Sequence, residues 1–416
     1  DKGELRMKST QWHQEKWFTS PWNFAEEVRK EFNFADEIKF HDVTLRDGEQ
    51  QAGLLFTKEQ KIALADKMAE MGMHRIEAGM PAVSEPDKQA IIEIAKRHQG
   101  PGEPEIFAFA RCMRDDVKRA VDCGVKGIVI EIPASEHIVK YAYKWEYEKA
   151  IKLAIDATLC AKENGLYTVF FPIDGTRTDL DVFMNLIKRV STEGHMDALA
   201  IVDTFGGLAP AACAYLVKEV KKTISKPVEL HFHDDYGCGA ANTLAGLSAG
   251  AEVCHTSISG IGERAGNTPY EQVALALLTM YGIDTGLKYE KMYELSKMMR
   301  KMAGMPIRPN TGIVGDTINE IESGIVADWF YNAKDVAPLE LSPYLYSLTG
   351  HPDAKVVIGK MSGIPTVDIY LNELGLECDS KEAKMEIVQK IKAKAFEIGD
   401  LLSIDQFAEI AHKVLD

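Results

Sequence analysis

An α/β fold, a (β/α)8 TIM barrel followed by a linker and a small helical C-terminal subdomain, is predicted by three features of the 416-residue sequence. Short apolar, β-branched-rich runs alternate with amphipathic helical stretches from residue 37 onward. Eight such runs fall within about 250 residues, the count of a closed barrel. No Gly-rich phosphate loop follows the first run, as a doubly wound open sheet would usually offer.

The elements follow in order. Residues 1–36 form an aromatic-rich N-terminal arm with Trp12, Trp17, Phe18, Trp22, Phe24 and Phe32. Exposed aromatics at that density are costly, so the arm is expected to pack on the body or on a partner subunit. The barrel spans 37–285, with strands at 38–43, 74–78, 105–110, 127–132, 168–173, 198–203, 228–233 and 253–259. Inter-strand helices are read at 57–71, 86–97, 114–122, 145–164, 179–191, 210–223 and 239–248. In the first, Ile62, Leu64, Ala65, Met68 and Met71 make one apolar stripe, and Thr57 with Gln60 makes a capping box. Pro86 and Pro210 suit the first helical position, where a missing N–H costs nothing. Residues 286–358, with Pro306, Pro309, Gly312, Gly315 and Gly324, read as an irregular linker subdomain with short elements. Residues 359–416 read as a helical subdomain. Met385, Val388, Ile391, Ala395 and Ile398 are spaced for one face, and Ser403 with Gln406 caps a last helix.

Composition excludes several roles. The net charge of −15 argues against a nucleic-acid partner. No run of about 18 apolar residues occurs, so a membrane-spanning helix is not expected, and the N-terminus lacks the apolar region of a signal peptide. Seven scattered cysteines without a Cys-x-x-Cys pair argue against zinc-thiolate or disulfide frameworks and fit a reducing, cytoplasmic setting.

The chemistry gathers at strand ends, where barrels place their active sites. His231 and His233 alternate with Phe232 at the end of the seventh strand, so both imidazoles point to one side. Such a pair is either a set of metal ligands or polar surface. Asp47, at the end of the first strand of the same ring, can converge with them. Two histidines and a carboxylate suit a divalent ion that keeps positions open for substrate: Mg2+, Mn2+, Co2+ or Zn2+. Arg46 beside it can steady an alkoxide or enolate, or merely brace the loop against a carboxylate. Chemistry of this kind makes or breaks a carbon–carbon bond next to a carbonyl.

The run Thr44-Leu45-Arg46-Asp47-Gly48-Glu49-Gln50, the Glu77-Ala78-Gly79 segment, Arg177-Thr178-Asp179, His231-x-His233 and Gly260-Ile261-Gly262-Glu263-Arg264-Ala265-Gly266-Asn267 together resemble the DRE-TIM metallolyase superfamily. They are most similar to its isopropylmalate, homocitrate and citramalate synthase branch. The resemblance implies that Asp47, His231 and His233 are metal ligands, with Asn267 as a fourth. It implies that Arg46 polarises a 2-oxo group, that Glu77 braces Arg46, and that Gln50 and Thr204 bind the 2-oxo acid. It puts substrate selection in side chains such as Arg111, His137, Ile173 and Met80. It also implies a homodimer, with the arm and the tail as contacts.

Departures from the branch are equally specific. Ile173 stands where a Glu is usual, and Val326 and Met361 stand where histidines are usual. Apolar side chains transfer no protons, so the acyl-CoA half of the site is altered while the metal and 2-oxo acid half is kept. Two enzymatic readings follow. One is a Claisen-type condensation of an acyl-CoA, acetyl-CoA first, with a metal-bound 2-oxo acid. The other is a metal-dependent lyase or aldolase cleaving a 2-hydroxy acid or hydroxyacyl-CoA. A barrel that only senses metal and 2-oxo acid is the non-enzymatic rival.

Overall fold

The computed structural model describes residues 10–415, which divide into two compact units. One unit is Pro21–Ile307; the other joins the residues before Pro21 to Arg308 onward. The change of unit therefore falls inside the aromatic-rich N-terminal segment.

Pro21–Ile307 holds the barrel. Its strands are β1 (Lys39–Asp42), β2 (Arg75–Glu77), β3 (Glu105–Arg111), β4 (Gly127–Pro133), β5 (Tyr167–Ile173), β6 (Ala198–Asp203), β7 (Val228–Phe232) and β8 (Val253–Thr256). All are parallel, pair in sequence order, and close through β1 and β8. The eight expected strands are thus the eight observed. β8 stops short of its expected end because Ser257 donates its hydroxyl to the Ile261 carbonyl (2.6 Å) and Ser259 turns to a φ of 56°.

Side chains alternate along each strand, and the inward ones fill the barrel. One half of the interior is apolar, built from Phe107, Val129, Val169, Ala200 and Val202. The other half is polar and charged: His41, Arg75, Glu77, Glu229 and His255 are each 4 % exposed or less.

The helix Lys58–Met71 begins with the predicted capping box: Thr57 Oγ1 accepts the Gln60 N–H (3.2 Å) and Gln60 Oε1 accepts the Thr57 N–H (2.9 Å). Its stripe is not quite the expected one. Ile62 is only half-buried, and Lys61 is buried instead. The Lys61 ammonium lies 2.5 Å from both Glu49 and Asp87, and these carboxylates make burial tolerable. Helix Pro210–Thr223 starts at its proline, whereas Glu85–Arg97 is capped by Ser84 and carries Pro86 one place in. Phe32 and Phe34 pack edge-on against Tyr281 at 5.4 and 5.2 Å, while Trp22 is 79 % exposed.

In the second unit the stretch read as irregular holds a ten-residue helix, Gly324–Ala333, and a parallel pair of short strands, Glu320–Ile321 with Lys355–Val356. Helices Ile364–Leu374, Lys381–Ile398 and Ile404–Leu415 share one core that includes Val367, Leu371, Ile387, Ile391 and Phe407. The expected face on Lys381–Ile398 holds for Val388, Ile391 and Ala395, but Met385 and Ile398 are exposed and Ile387 joins the core. At 3.6 residues per turn Met385 falls on the order of 100° from the middle of the buried stripe, and Ile398 is the helix's last residue. The Ser403–Gln406 cap forms as read.

Candidate functional site

The turn after β1 aims two side chains over the C-terminal mouth of the barrel. Asp42 Oδ1 accepts the Thr44 N–H (2.8 Å), the Arg46 N–H bonds the Val43 carbonyl (3.1 Å), and Gly48–Gln50 forms a single 3-10 turn. Arg46 emerges 7 % exposed and Asp47 3 % exposed. The guanidinium lies over the Phe109 ring at 3.9 Å. Its Nε donates to Glu77 Oε1, and its Nη1 donates to Asp47 Oδ2 (3.0 Å) and Gln50 Oε1 (3.4 Å). Nη2 is buried and has no partner among the described residues.

β7 and the loop after β8 complete the group. His231 Nε2 lies 3.1 Å and His233 Nε2 3.8 Å from the same Asp47 oxygen, Oδ2. Asn267 donates its amide to Asp47 Oδ1 (3.2 Å) and to the Ile261 carbonyl (3.1 Å). Its own carbonyl oxygen is buried and has no partner among the described residues. The approach depends on Gly266, at φ +96°, where a Cβ would lie 1.9 Å from the Gly260 oxygen.

Electrostatics suit a cation. Burial works against ionising Asp47, but Arg46 and the two imidazoles outweigh it and hold the carboxyl well below the usual carboxylate range. Burial, opposed by Asp47, lowers His231 to about 3, so its imidazole is neutral at ordinary pH. The cluster offers one ligand atom each from Asp47, His231 and His233, all within 4.8 Å of one another. With the unpartnered Asn267 oxygen beside them, this donor set fits a divalent ion of the oxygen–nitrogen type.

The remaining predicted residues lie on the other strand ends. Glu77, fully buried, links Arg46 to His41 Nε2 (3.0 Å). Arg111 is half-exposed and paired with Asp116 at 2.7 and 3.1 Å. His137, Thr204 and Arg177 converge on buried Asp174. His137 Nε2 is 2.8 Å from Asp174 Oδ2, Arg177 grips both oxygens at 2.7 and 3.0 Å, and Thr204 Oγ1 accepts the Asp174 N–H at 2.7 Å. They form a separate group from the Asp47 cluster. Met80 and Val83, with Leu54 and Phe56, wall a cavity of about 580 Å³ that reaches Arg46 and Gln50.

Sequence reading missed three features here: Phe109 and Phe171 as the bed of Arg46, His41 behind Glu77, and Glu131. The last is inward-facing on β4, in register with Arg111 and Phe171. Burial raises its carboxyl above the usual range, with Arg46 and Arg111 pulling the other way. Alternation from Gly127 through Val129 puts Glu131 on the Val129 side of the strand, but in a run buried on both faces nothing local marks that side as the inward one.

A closed (β/α)8 barrel with Arg46, Asp47 and two histidines gathered at its C-terminal mouth defines the class: a barrel protein with a metal-type site built on its strand ends. A family model described as HMGL-like matches residues 37–299, and the chain belongs to that family. Homocitrate synthase AksA of Methanothermobacter thermautotrophicus is 35 % identical over 399 residues, 96 % of this chain and 98 % of that protein. A probable 2-isopropylmalate synthase of Ignicoccus hospitalis is 36 % identical over 94 % of this chain and 95 % of its own length. A putative (R)-citramalate synthase CimA of Archaeoglobus fulgidus is 39 % identical over 88 % of this chain and 72 % of its own. Among solved structures, HMG-CoA lyase of Bacillus subtilis has a TM-score of 0.59 at 21 % identity, covering 66 % of this chain and 96 % of the lyase; this likeness is one of fold. No helix among the described residues is long and apolar enough to cross a membrane.

Proposed function

We propose that this chain is a divalent-metal-dependent synthase that condenses an acyl-CoA, acetyl-CoA first, with a 2-oxo acid. The observation that carries the reading is the meeting of Arg46 Nη1 and both imidazoles at one Asp47 oxygen, with Arg46 Nη2 still free to donate. Relatives named as synthases of this type along nearly the whole chain support it.

In this reading Asp47, His231, His233 and Asn267 hold the ion, which when bound supplies Lewis-acid polarisation of the 2-oxo carbonyl. Arg46 Nη2 donates to the carbonyl oxygen and holds it as it becomes an alkoxide. The α-carbon of the thioester gives up a proton and attacks the 2-oxo carbon, and the alkoxide formed takes up a proton in turn. One carbon–carbon bond forms and the carbonyl π pair moves onto oxygen. Water then cleaves the thioester, releasing free thiol and a carboxylate. Glu77 and Phe109 keep the guanidinium in place. The cavity walled by Leu54, Phe56, Met80 and Val83 suits an apolar part of the substrate. Arg111, His137 and Thr204 orient its polar ends. The chain works as a homodimer in the cytoplasm.

A metal-dependent lyase or aldolase is the second reading. Ile173, Val326 and Met361, apolar at positions where the synthase branch carries proton-transferring groups, favour it.

Thiol release separates the two. Purified protein with Mg2+, Mn2+, Co2+ or Zn2+, acetyl-CoA and a panel of 2-oxo acids is expected to liberate CoA thiol with at least one pairing. No release with any pairing, together with oxo-acid formation from 2-hydroxy acids, would replace the synthase by the lyase. Light scattering at about twice the chain mass is expected for the dimer, and the monomer mass would refute it.

A further inference from the structure

Beneath the Asp47 cluster the barrel axis carries a second set of buried polar and charged side chains. His41 on β1 and His255 on β8 are register partners, and their rings stack at 4.3 Å with 16° between planes. Each presents Nε2 to a carboxylate: His41 to Glu77 Oε2 at 3.0 Å, His255 to Glu229 Oε2 at 2.7 Å. The second oxygen of each carboxylate is taken by an arginine, Arg46 Nε on Glu77 and Arg75 Nη1 on Glu229 (2.7 Å). The result is a continuous column from Arg46 through Glu77 and His41, across the stack, to His255, Glu229 and Arg75. None of the six is more than 7 % exposed.

Donor atoms of His41, Glu229 and His255 lie within 4.8 Å of one another, a spacing that an ion can bridge. The ring geometry points elsewhere. In-plane lone pairs of two stacked rings run side by side instead of converging, and each Nε2 already faces a carboxylate.

The column instead orients Arg46. Burial and then His255 hold His41 down to about 4, so its ring is neutral at ordinary pH. Burial opposes ionisation of Glu77, yet Arg46 and His41 hold its carboxyl down to about 2. A neutral ring facing an ionised carboxylate puts its one proton on the facing nitrogen, so Nε2 donates. His41 Nδ1 is then the bare nitrogen, and it has no partner among the described residues. With Oε2 pinned by His41, the Glu77 carboxylate cannot rotate, and Oε1 stays aimed at Arg46 Nε. That bond, with Asp47 on Nη1, fixes the guanidinium plane and so the direction of the free Nη2.

We propose that His41 is a positioning residue: through Glu77 it holds Arg46 Nη2 on the reacting oxygen. The inference rests on reading Arg46 as the oxyanion donor. Its test compares His41→Phe, which keeps a ring to stack on His255 but has no donor, with His41→Gln, whose amide nitrogen reaches the place of Nε2. His41→Asn, polar but too short for Glu77, serves if the Phe variant does not fold. Two readouts are used. In the thiol-release assay, His41→Phe is expected to lower kcat by about 10- to 100-fold, as loss of an outer hydrogen-bond partner does, with KM for the 2-oxo acid within about 3-fold. His41→Gln is expected to recover most of the rate. In nitrogen-15 NMR, the Arg46 Nε–H signal (assigned by its loss in Arg46→Lys) is expected to exchange with water about 10-fold faster or more in His41→Phe, and near the wild-type rate in His41→Gln. Wild-type kcat with unchanged Nε–H exchange in His41→Phe would overturn the proposal, as would equal losses in the Phe and Gln variants. If even the wild type releases no thiol, the synthase reading fails while the exchange comparison still decides the role of His41.

Discussion

Asp47 Oδ2 stands 3.1 Å from His231 Nε2 and 3.0 Å from Arg46 Nη1. One carboxylate oxygen thus joins the metal-type imidazole pair to the guanidinium that would hold a reacting oxygen. Both His231 and Asp47 are nearly inaccessible to water.

His231→Ala removes a donor atom from that meeting point. Its Mn2+ affinity is expected to fall on the order of 100-fold or more, and thiol release to vanish, because a ligand contributes more than the outer partners whose loss costs 10- to 100-fold. Titration calorimetry with Mn2+ checks the first and the thiol assay the second. Wild-type turnover under limiting metal would remove His231 from the ligand set.

Arg46→Lys tests shape against charge. The guanidinium makes three hydrogen bonds and lies over the Phe109 ring; an ammonium is a point charge that cannot reproduce that fork. A fall in kcat of about 10²- to 10³-fold is expected, the size of losing one oxyanion donor, with Mn2+ affinity within about 3-fold. A near-normal rate would mean that Arg46 only braces the loop.

The barrel was legible because its signals are local: eight apolar runs at helical intervals, a Thr57–Gln60 box, and the alternation that put His231 and His233 on one side. What escaped depends on partners distant in sequence. Glu131 sits in a strand buried on both faces, where parallel strands read as continuous apolar runs, so a single Glu does not announce which way it points. His41 looks like one more polar residue before Asp42 until β8 brings His255 against it. Lys61 is an unremarkable helix lysine until Glu49 and Asp87 close on it. Met385 shows the opposite error: an apolar residue three before Val388, yet on the solvent side of its helix.

Gly266→Ala strikes the loop that delivers Asn267. The added Cβ meets the Gly260 oxygen at 1.9 Å with φ at +96°, so residues 260–267 must move and Asn267 leaves Asp47. Gly286, at φ +78° with nothing within 4 Å, is the control, since its alanine suffers only the left-handed strain of about 1–2 kcal/mol. Gly266→Ala is expected to lose at least roughly twice as much stability and to weaken Mn2+ binding, whereas Gly286→Ala leaves Mn2+ binding unchanged. Urea unfolding and metal titration of the pair decide it; equal behaviour would show that the loop accommodates a side chain.

Glu271 gives the chain a pH dependence of definite sign. It is 1 % exposed; Oε1 accepts the Ser259 N–H (2.8 Å), and Oε2 has no partner among the described residues. Burial pushes its carboxyl up from 4.5 to about 8, only partly offset by its own backbone N–H and that of Ser259. The folded state therefore keeps this proton while the unfolded chain gives it up above about pH 4.5. The stabilisation is full below that pH, falls as pH rises, and is gone above about pH 8. Glu271→Gln keeps the oxygen for Ser259 and cannot ionise. Its stability relative to the wild type is expected to climb from pH 4.5 to 8 and then level, by on the order of a few kcal/mol. Urea unfolding of both proteins between pH 4.5 and 9 measures the gap, and a gap that stays constant across that range would mean that Glu271 ionises inside the fold at no cost.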